Sequence, residues 1–404
     1  MPVSEALPDL LTICQKEKNN FLKLLKRLVE TETPPADPKR HRKLFSILEK
    51  ELNRIGYRSA LYPGVKSGGQ LLARNGDIKS DGYQLMLGHV DTVWPLRTLE
   101  KMPFSKGQED VNILTGPGIY DMKAGVAMMI TALKIMKKKK LVPKLQPVIY
   151  LNSDEETGSR ESKRDILRLA KVVKRVFVLE PSLDPDGKLK TRRKGVGHYD
   201  IKIKGVSSHA GIEPEKGKSA ILELSYLIQK LHELNDPEHG ITVNVGKIDG
   251  GISTNVIAPE SSASVDVRVM TKADAERVNE KIHSLKATTP GVTLEVDGGF
   301  ERPPLVQNKR NRTLWIAAES FASLMNMELK QGISGGGSDG SYTSLHTATL
   351  DGLGAVGDGA HSPTEKIFLR ETLQRTALLI HLLMLPDISD EPADVVAEYA
   401  YQAE

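Results

Sequence analysis

The sequence predicts an α/β protein: a mixed sheet flanked by helices, carrying an inserted ferredoxin-like α+β domain. Toward both ends of the chain, apolar runs of strand length alternate with amphipathic helical periods. Between them a segment reads β-α-β-β-α-β, the order of two helices on one face of a four-stranded sheet. At 404 residues the chain also exceeds what one simple core holds. The outer domain is expected over 1–188 and 305–404, and the insertion over 189–304.

Residues 11–30 and 39–55 space their apolar side chains three and four apart, as in Phe21, Leu24, Leu25 and Leu28, so each predicts a helix; Pro34, Pro35 and Pro38 separate them. Short strands follow at 58–62 and 70–74, then a strand through 85–93 and a helix over 123–140. A strand at 147–152, a helix at 162–171 and a strand at 176–179 continue the alternation. Within the insertion, strands are expected at 198–204, 242–248, 262–270 and 292–296, with helices at 218–234 and 272–285. The outer pattern resumes with a helix at 311–325, a glycine-rich stretch at 332–340, a short strand near Thr349 and a helix at 369–385. The acidic tail after Pro386 is expected to be loosely held.

Composition narrows the partners. Charged residues at 27% and hydrophobic ones at 39% are an ordinary soluble globular balance. A net charge of +4 is small for this length, and the lysines at 137–140 read as a solvated helix end, so no nucleic-acid partner is expected. Cys14 is the only cysteine, so no intrachain disulfide forms. The N-terminus lacks the basic segment and apolar core of a signal peptide, and no run reaches the roughly 18 apolar residues of a membrane span. A cytoplasmic protein without a membrane partner is the expectation.

The chemistry begins at L-M-L-G-H-V-D-T-V, where a strand delivers His89 and Asp91. Two apart on extended backbone, they share a face, so the carboxylate can take one ring proton while the other nitrogen faces a metal. Asp121, in G-P-G-I-Y-D-M-K-A-G, reads alone as a helix N-cap, although a strand-to-helix turn is also where such sheets build sites. Asp154, Glu155 and Glu156 close another strand, and adjacent carboxylates repel unless a cation is near. Their alternating directions let one of Glu155 and Glu156 bind a metal while the other acts as a base. Glu180 ends a further strand, and His361 lies in the glycine-rich G-D-G-A-H-S-P-T-E. Two histidines and several carboxylates at strand ends or turns supply the nitrogen and oxygen donors that suit zinc, with cobalt or manganese as substitutes.

Taken in order, G-H-V-D-T, G-P-G-I-Y-D-M-K-A-G, D-E-E-T-G-S, L-E-P-S, S-S-H-A-G, G-G-I-S-T-N-V-I-A-P, V-D-V-R and G-D-G-A-H-S-P-T-E resemble the M20 metallopeptidases over residues 10–385, and most the glutamate carboxypeptidase branch. The resemblance implies two zinc ions bridged by Asp121 and a water. His89 and Glu180 would hold one ion, and Glu156 and His361 the other. Glu155 would be the general base and Asp91 would orient His89. It further implies a homodimer through the insertion, with His209 of S-S-H-A-G stabilising the oxyanion in the partner's site. Asn255, Arg268 and Arg302 would bind substrate, and Gly336 would present backbone N–H groups to its carboxylate end. Arg268 reads equally as a strand salt-bridge partner, and the glycine loop as a tight turn.

The implied activity is release of a C-terminal amino acid, glutamate first, from a peptide or N-acyl substrate. Deacylation of an N-acyl amino acid such as acetylornithine, or dipeptide cleavage, uses the same chemistry. A non-catalytic binder of acidic peptides is the reading from another class, and the complete ligand set beside Glu155 speaks against it.

Overall fold

The N-terminal amphipathic stretch folds as two helices, Leu10–Lys16 and Lys18–Val29, where one was expected. The break falls at Glu17, whose carboxylate accepts from Asn20 and pairs with Lys138. The computed structural model describes residues 7–35, 37–76, 81–108, 110–389 and 391, so most of the acidic tail lies outside the described residues. Before that point the chain is anchored: Arg175 donates to the carbonyls of Leu385 and Pro386, and Ile388 is buried.

Two compact units divide the chain. One comprises 1–192, 307–333 and 338–404; the other comprises 193–306 with 334–337. The segment 334–337, expected with the outer domain, belongs with the insertion because its carbonyls accept from Arg193 and Arg268 and Gly337 packs on Arg302.

The first unit is built on a six-stranded sheet in the order Tyr57–Tyr62, Gln70–Asn75, Gln146–Asn152, Tyr83–His89, Arg175–Val178 and Ala348–Leu350. The first three strands pair antiparallel and the last four run parallel. Register sets His89 opposite Asn152 and Leu87 opposite Val178, so the parallel strands release their chains along one edge, where sheets of this kind place sites. The helix Ala124–Lys138 is buried nearly all round and seals one face. It sits so close that a Cβ on Gly125 would lie 2.1 Å from the Leu179 carbonyl oxygen, which explains the glycine there.

A second sheet of the same unit was not anticipated: Gly357–Asp358, Lys366–Phe368, Ile113–Thr115 and Ser105–Lys106. Its strands have two or three residues, too few to show a period in the sequence.

The other unit is antiparallel throughout, in the order Thr242–Gly250, Glu260–Val269, Gly195–Lys204 and Thr293–Arg302. Helices Ala220–His232 and Lys272–His283 bury Leu224, Leu227, Val278 and Ile282 in its own core with Tyr199, Ile201 and Val265. This is the ferredoxin-like arrangement.

Candidate metal centre

The strand carrying His89 ends on that residue, so Asp91 stands on the loop beyond it. His89 Nδ1 lies 3.0 Å from the Asp91 carbonyl oxygen and 3.5 Å from its Oδ1, making the backbone the nearer partner. The Asp91 carboxylate instead accepts the backbone N–H groups of Glu155 (3.3 Å) and Glu156 (3.0 Å). It therefore fixes both the imidazole and the short 3₁₀ turn Glu155–Thr157.

Asp121 caps no helix. The following helix begins at Ala124, and Asp121 occupies an irregular turn with φ −114° and ψ 99°. Each of its oxygens faces a different histidine: Oδ1 lies 3.1 Å from His89 Nε2, and Oδ2 lies 3.4 Å from His361 Nε2. His89 Nε2 is also 3.3 Å from Glu180 Oε1, and His361 Nε2 is 3.4 Å from Glu156 Oε2. Donor atoms of His89, Asp121 and Glu156 all lie within 4.8 Å of one another, and so do those of His89, Glu155 and Glu180.

The two histidines differ in setting. His89 is buried, whereas His361 is 50% exposed and held at φ 60° in a hairpin loop. Burial opposes charge on His89, but Asp121, Asp91 and Glu180 outweigh it and hold the ring well above its ordinary pKa. Asp121 and Glu156 raise His361 to about 10. Burial pushes Glu156 up to about 7 against the pull of His361. Burial acts likewise on Asp121, but there His361 and His89 prevail and keep the carboxyl well below the usual range. Converging carboxylates with mixed nitrogen and oxygen donors fit divalent cations. Glu156 Oε1, buried without a hydrogen-bond partner, is a donor still to be used.

One participant escaped the sequence reading. Glu365, fully buried, accepts from the backbone N–H groups of Gly118, Tyr120 and Asp121 and from the Trp94 indole. The only signal was an acid four residues beyond His361 in an otherwise small and polar loop.

The remaining candidates lie in the other unit. His209 is exposed, and its Nδ1 accepts the Gly211 N–H at 3.1 Å, which leaves the proton on Nε2. Asn255 Oδ1 accepts from Ser253. Arg268 forks onto both oxygens of Asp266 at 2.8 Å, the salt bridge that V-D-V-R allowed. Arg302 is 7% exposed, and Gly337 leaves room for it: a Cβ there would lie 2.9 Å from Arg302 Cδ. Gly336 donates its N–H to Ser334 Oγ at 3.3 Å and accepts from Arg193.

A mixed sheet with a carboxylate-histidine cluster along its edge is thus joined in sequence to a ferredoxin-like domain. Residues 191–290 match the M20 peptidase dimerisation domain. Carboxypeptidase G2 of Pseudomonas sp. (strain RS-16) is 28% identical over 359 residues, 86% of this chain and 84% of that protein. A tripeptidase from Staphylococcus aureus has the same fold, with TM-score 0.74 at 20% identity over 94% of this chain and 99% of its own. YxeP of Bacillus subtilis, described as a dinuclear metal-binding peptidase of the M20 family, superposes with TM-score 0.65 at 16% identity over 92% and 98%. Residues 191–290 thus match an M20 domain, and the chain as a whole is similar to M20 peptidases in fold. Among the described residues, no helix is long and apolar enough to cross a membrane.

Proposed function

We propose that the chain is a dizinc amidohydrolase that releases a C-terminal amino acid, glutamate by preference, from a peptide or N-acyl substrate. The observation that carries this reading is the division of Asp121, one oxygen toward each histidine. A carboxylate so divided suits a shared ligand, with His89 and Glu180 on one ion and Glu156 and His361 on the other. Bound divalent ions supply Lewis acidity, polarising the scissile carbonyl and acidifying water. Glu155 is the base: its carboxylate takes a proton from the attacking water and delivers it to the leaving amine. Asp91 holds that base in place through the Glu155 N–H.

His209, whose Nδ1 accepts the Gly211 N–H, has Nε2 left to donate to a developing oxyanion. We read it as acting in the partner's site of a homodimer. The likeness to Carboxypeptidase G2 supports the carboxypeptidase assignment. For glutamate, Arg302 is the candidate partner of the substrate carboxylate, its planar guanidinium suited to meet two oxygens at once. The test is amino-acid release by zinc-loaded protein from matched N-acyl-glutamate, N-acyl-aspartate, N-acyl-alanine, N-acetylornithine and dipeptides. The N-acyl-glutamate should be fastest. Preference for N-acetylornithine or a neutral dipeptide would overturn the substrate assignment and leave the metal chemistry standing.

A further inference from the structure

We infer that Glu365 is a positioning residue that locks the turn bearing Asp121 and the loop bearing His361 into one metal-binding frame. The inference rests on the dizinc reading above. Glu365 Oε1 accepts the N–H groups of Tyr120 at 2.8 Å and Asp121 at 3.1 Å, and Oε2 accepts those of Gly118 and the Trp94 indole at 2.8 Å each. A carboxylate offers about four acceptor sites, and all are taken by N–H donors.

Three of those donors belong to the turn that presents Asp121. That turn is irregular, with Gly118 at φ 69° and Asp121 and Met122 outside helical geometry, so no regular ladder satisfies its N–H groups. The fourth donor, Trp94, follows His89 and Asp91 in the chain. Glu365 itself closes the hairpin loop that carries His361, between Gly357–Asp358 and Lys366–Phe368. Its own N–H donates to Ser362, and the next residue, Lys366, pairs with Thr115 at the entrance to the Asp121 turn. Neither loop has regular structure of its own where the ligands sit. One side chain therefore sets the spacing between a ligand shared by both ions and a ligand exclusive to one.

Glutamine is a demanding replacement, because its NH₂ must oppose donors that the second oxygen now satisfies. Aspartate keeps the charge and shortens the reach. The full-length protein is prepared as wild type, Glu365→Gln, Glu365→Asp, Trp94→Phe and Asp121→Asn. Cobalt(II) binding is followed by d–d absorption, alongside melting of the metal-free protein and kcat and KM.

We expect Glu365→Gln and Glu365→Asp to bind cobalt about 10- to 100-fold more weakly, the range for groups that orient metal ligands. Their d–d bands should shift and kcat should fall with KM little changed. Trp94→Phe, which removes one donor and keeps the carboxylate, should show a smaller change of the same kind. It decides the matter if the Glu365 variants do not fold. Wild-type cobalt affinity and spectrum in Trp94→Phe and in every folded Glu365 variant would overturn the inference, even if melting drops, since that is a purely structural role. Asp121→Asn separates the two levels. If it loses cobalt while the others keep it, only the positioning role falls; if it binds two ions like wild type, the metal reading falls and takes this inference with it.

Discussion

The two units hold their chemistry-bearing side chains in opposite ways. In the first, the candidates meet one another: Asp121 faces both histidines, Glu180 and Glu156 each face one of them, and Asp91 grips the turn of Glu155 and Glu156. In the second, each is engaged by its own neighbourhood: Arg268 by Asp266, Asn255 by Ser253, His209 by Gly211. Groups that share partners act as a unit, and groups that do not have separable effects. Changes to the candidate ligands of the first unit should therefore alter the metal content, and changes in the second unit should leave it intact.

The largest expected effect is at the proposed shared ligand. Asp121→Asn should lower the affinity of both ions and take hydrolysis to background, checked by metal analysis after gel filtration beside a rate assay. Loss of one ion only would show that the two sites do not depend on a common carboxylate. Glu155→Gln comes next. It should lower kcat by roughly 10²- to 10⁴-fold, the usual contribution of a positioned base, with both ions retained. Unchanged turnover would remove Glu155 from the reaction, and inactivity of both wild type and variant with metal bound would favour a binding protein.

The second unit supplies the contrast. His209→Ala should lower kcat by about 10²- to 10³-fold, the cost of losing one oxyanion donor, with metal content and melting unchanged. Mixed dimers with Glu155→Gln subunits should regain part of the activity, because one intact site is reassembled across the interface. No recovery in verified mixed dimers would count against a shared site.

The same contrast explains what the sequence disclosed. Candidate ligands at the ends of apolar strands were legible, because His89 and Glu180 close runs of buried residues. So was the insertion, whose strands alternate cleanly over ten residues, as in Glu260–Val269. The small sheet beneath the His361 loop was not, and Glu365 was missed with it. Its four hydrogen bonds reach residues 244 to 271 positions away, which no local pattern encodes. Asp91 was expected beside His89, and its carboxylate lies 3.5 Å from the ring; its bonds to the Glu155 and Glu156 N–H groups were not expected, because they join loops more than 60 residues apart.

Histidines carry the comparison to its smallest effect, on stability. The second unit's five, at 198, 209, 232, 239 and 283, are all exposed. In the first unit His381, on the helix Leu369–Met384, stacks on Phe321 at 5.0 Å between centroids, and its Nδ1 is buried without a hydrogen-bond partner. Burial lowers its pKa to about 4 from 6.5. Between those values the unfolded chain binds a proton that the native ring refuses, so stability rises with pH across the window and is lost as pH falls from 6.5 toward 4. The sum is on the order of 3 kcal/mol at pH 4 and negligible above pH 7. Urea unfolding at pH 7.5, 6 and 5 should show this loss in wild type, reaching about 2 kcal/mol at pH 5, and His381→Leu should lack that part of the pH dependence. Parallel slopes in the two proteins would mean that the ring is solvated enough to accept its proton in place.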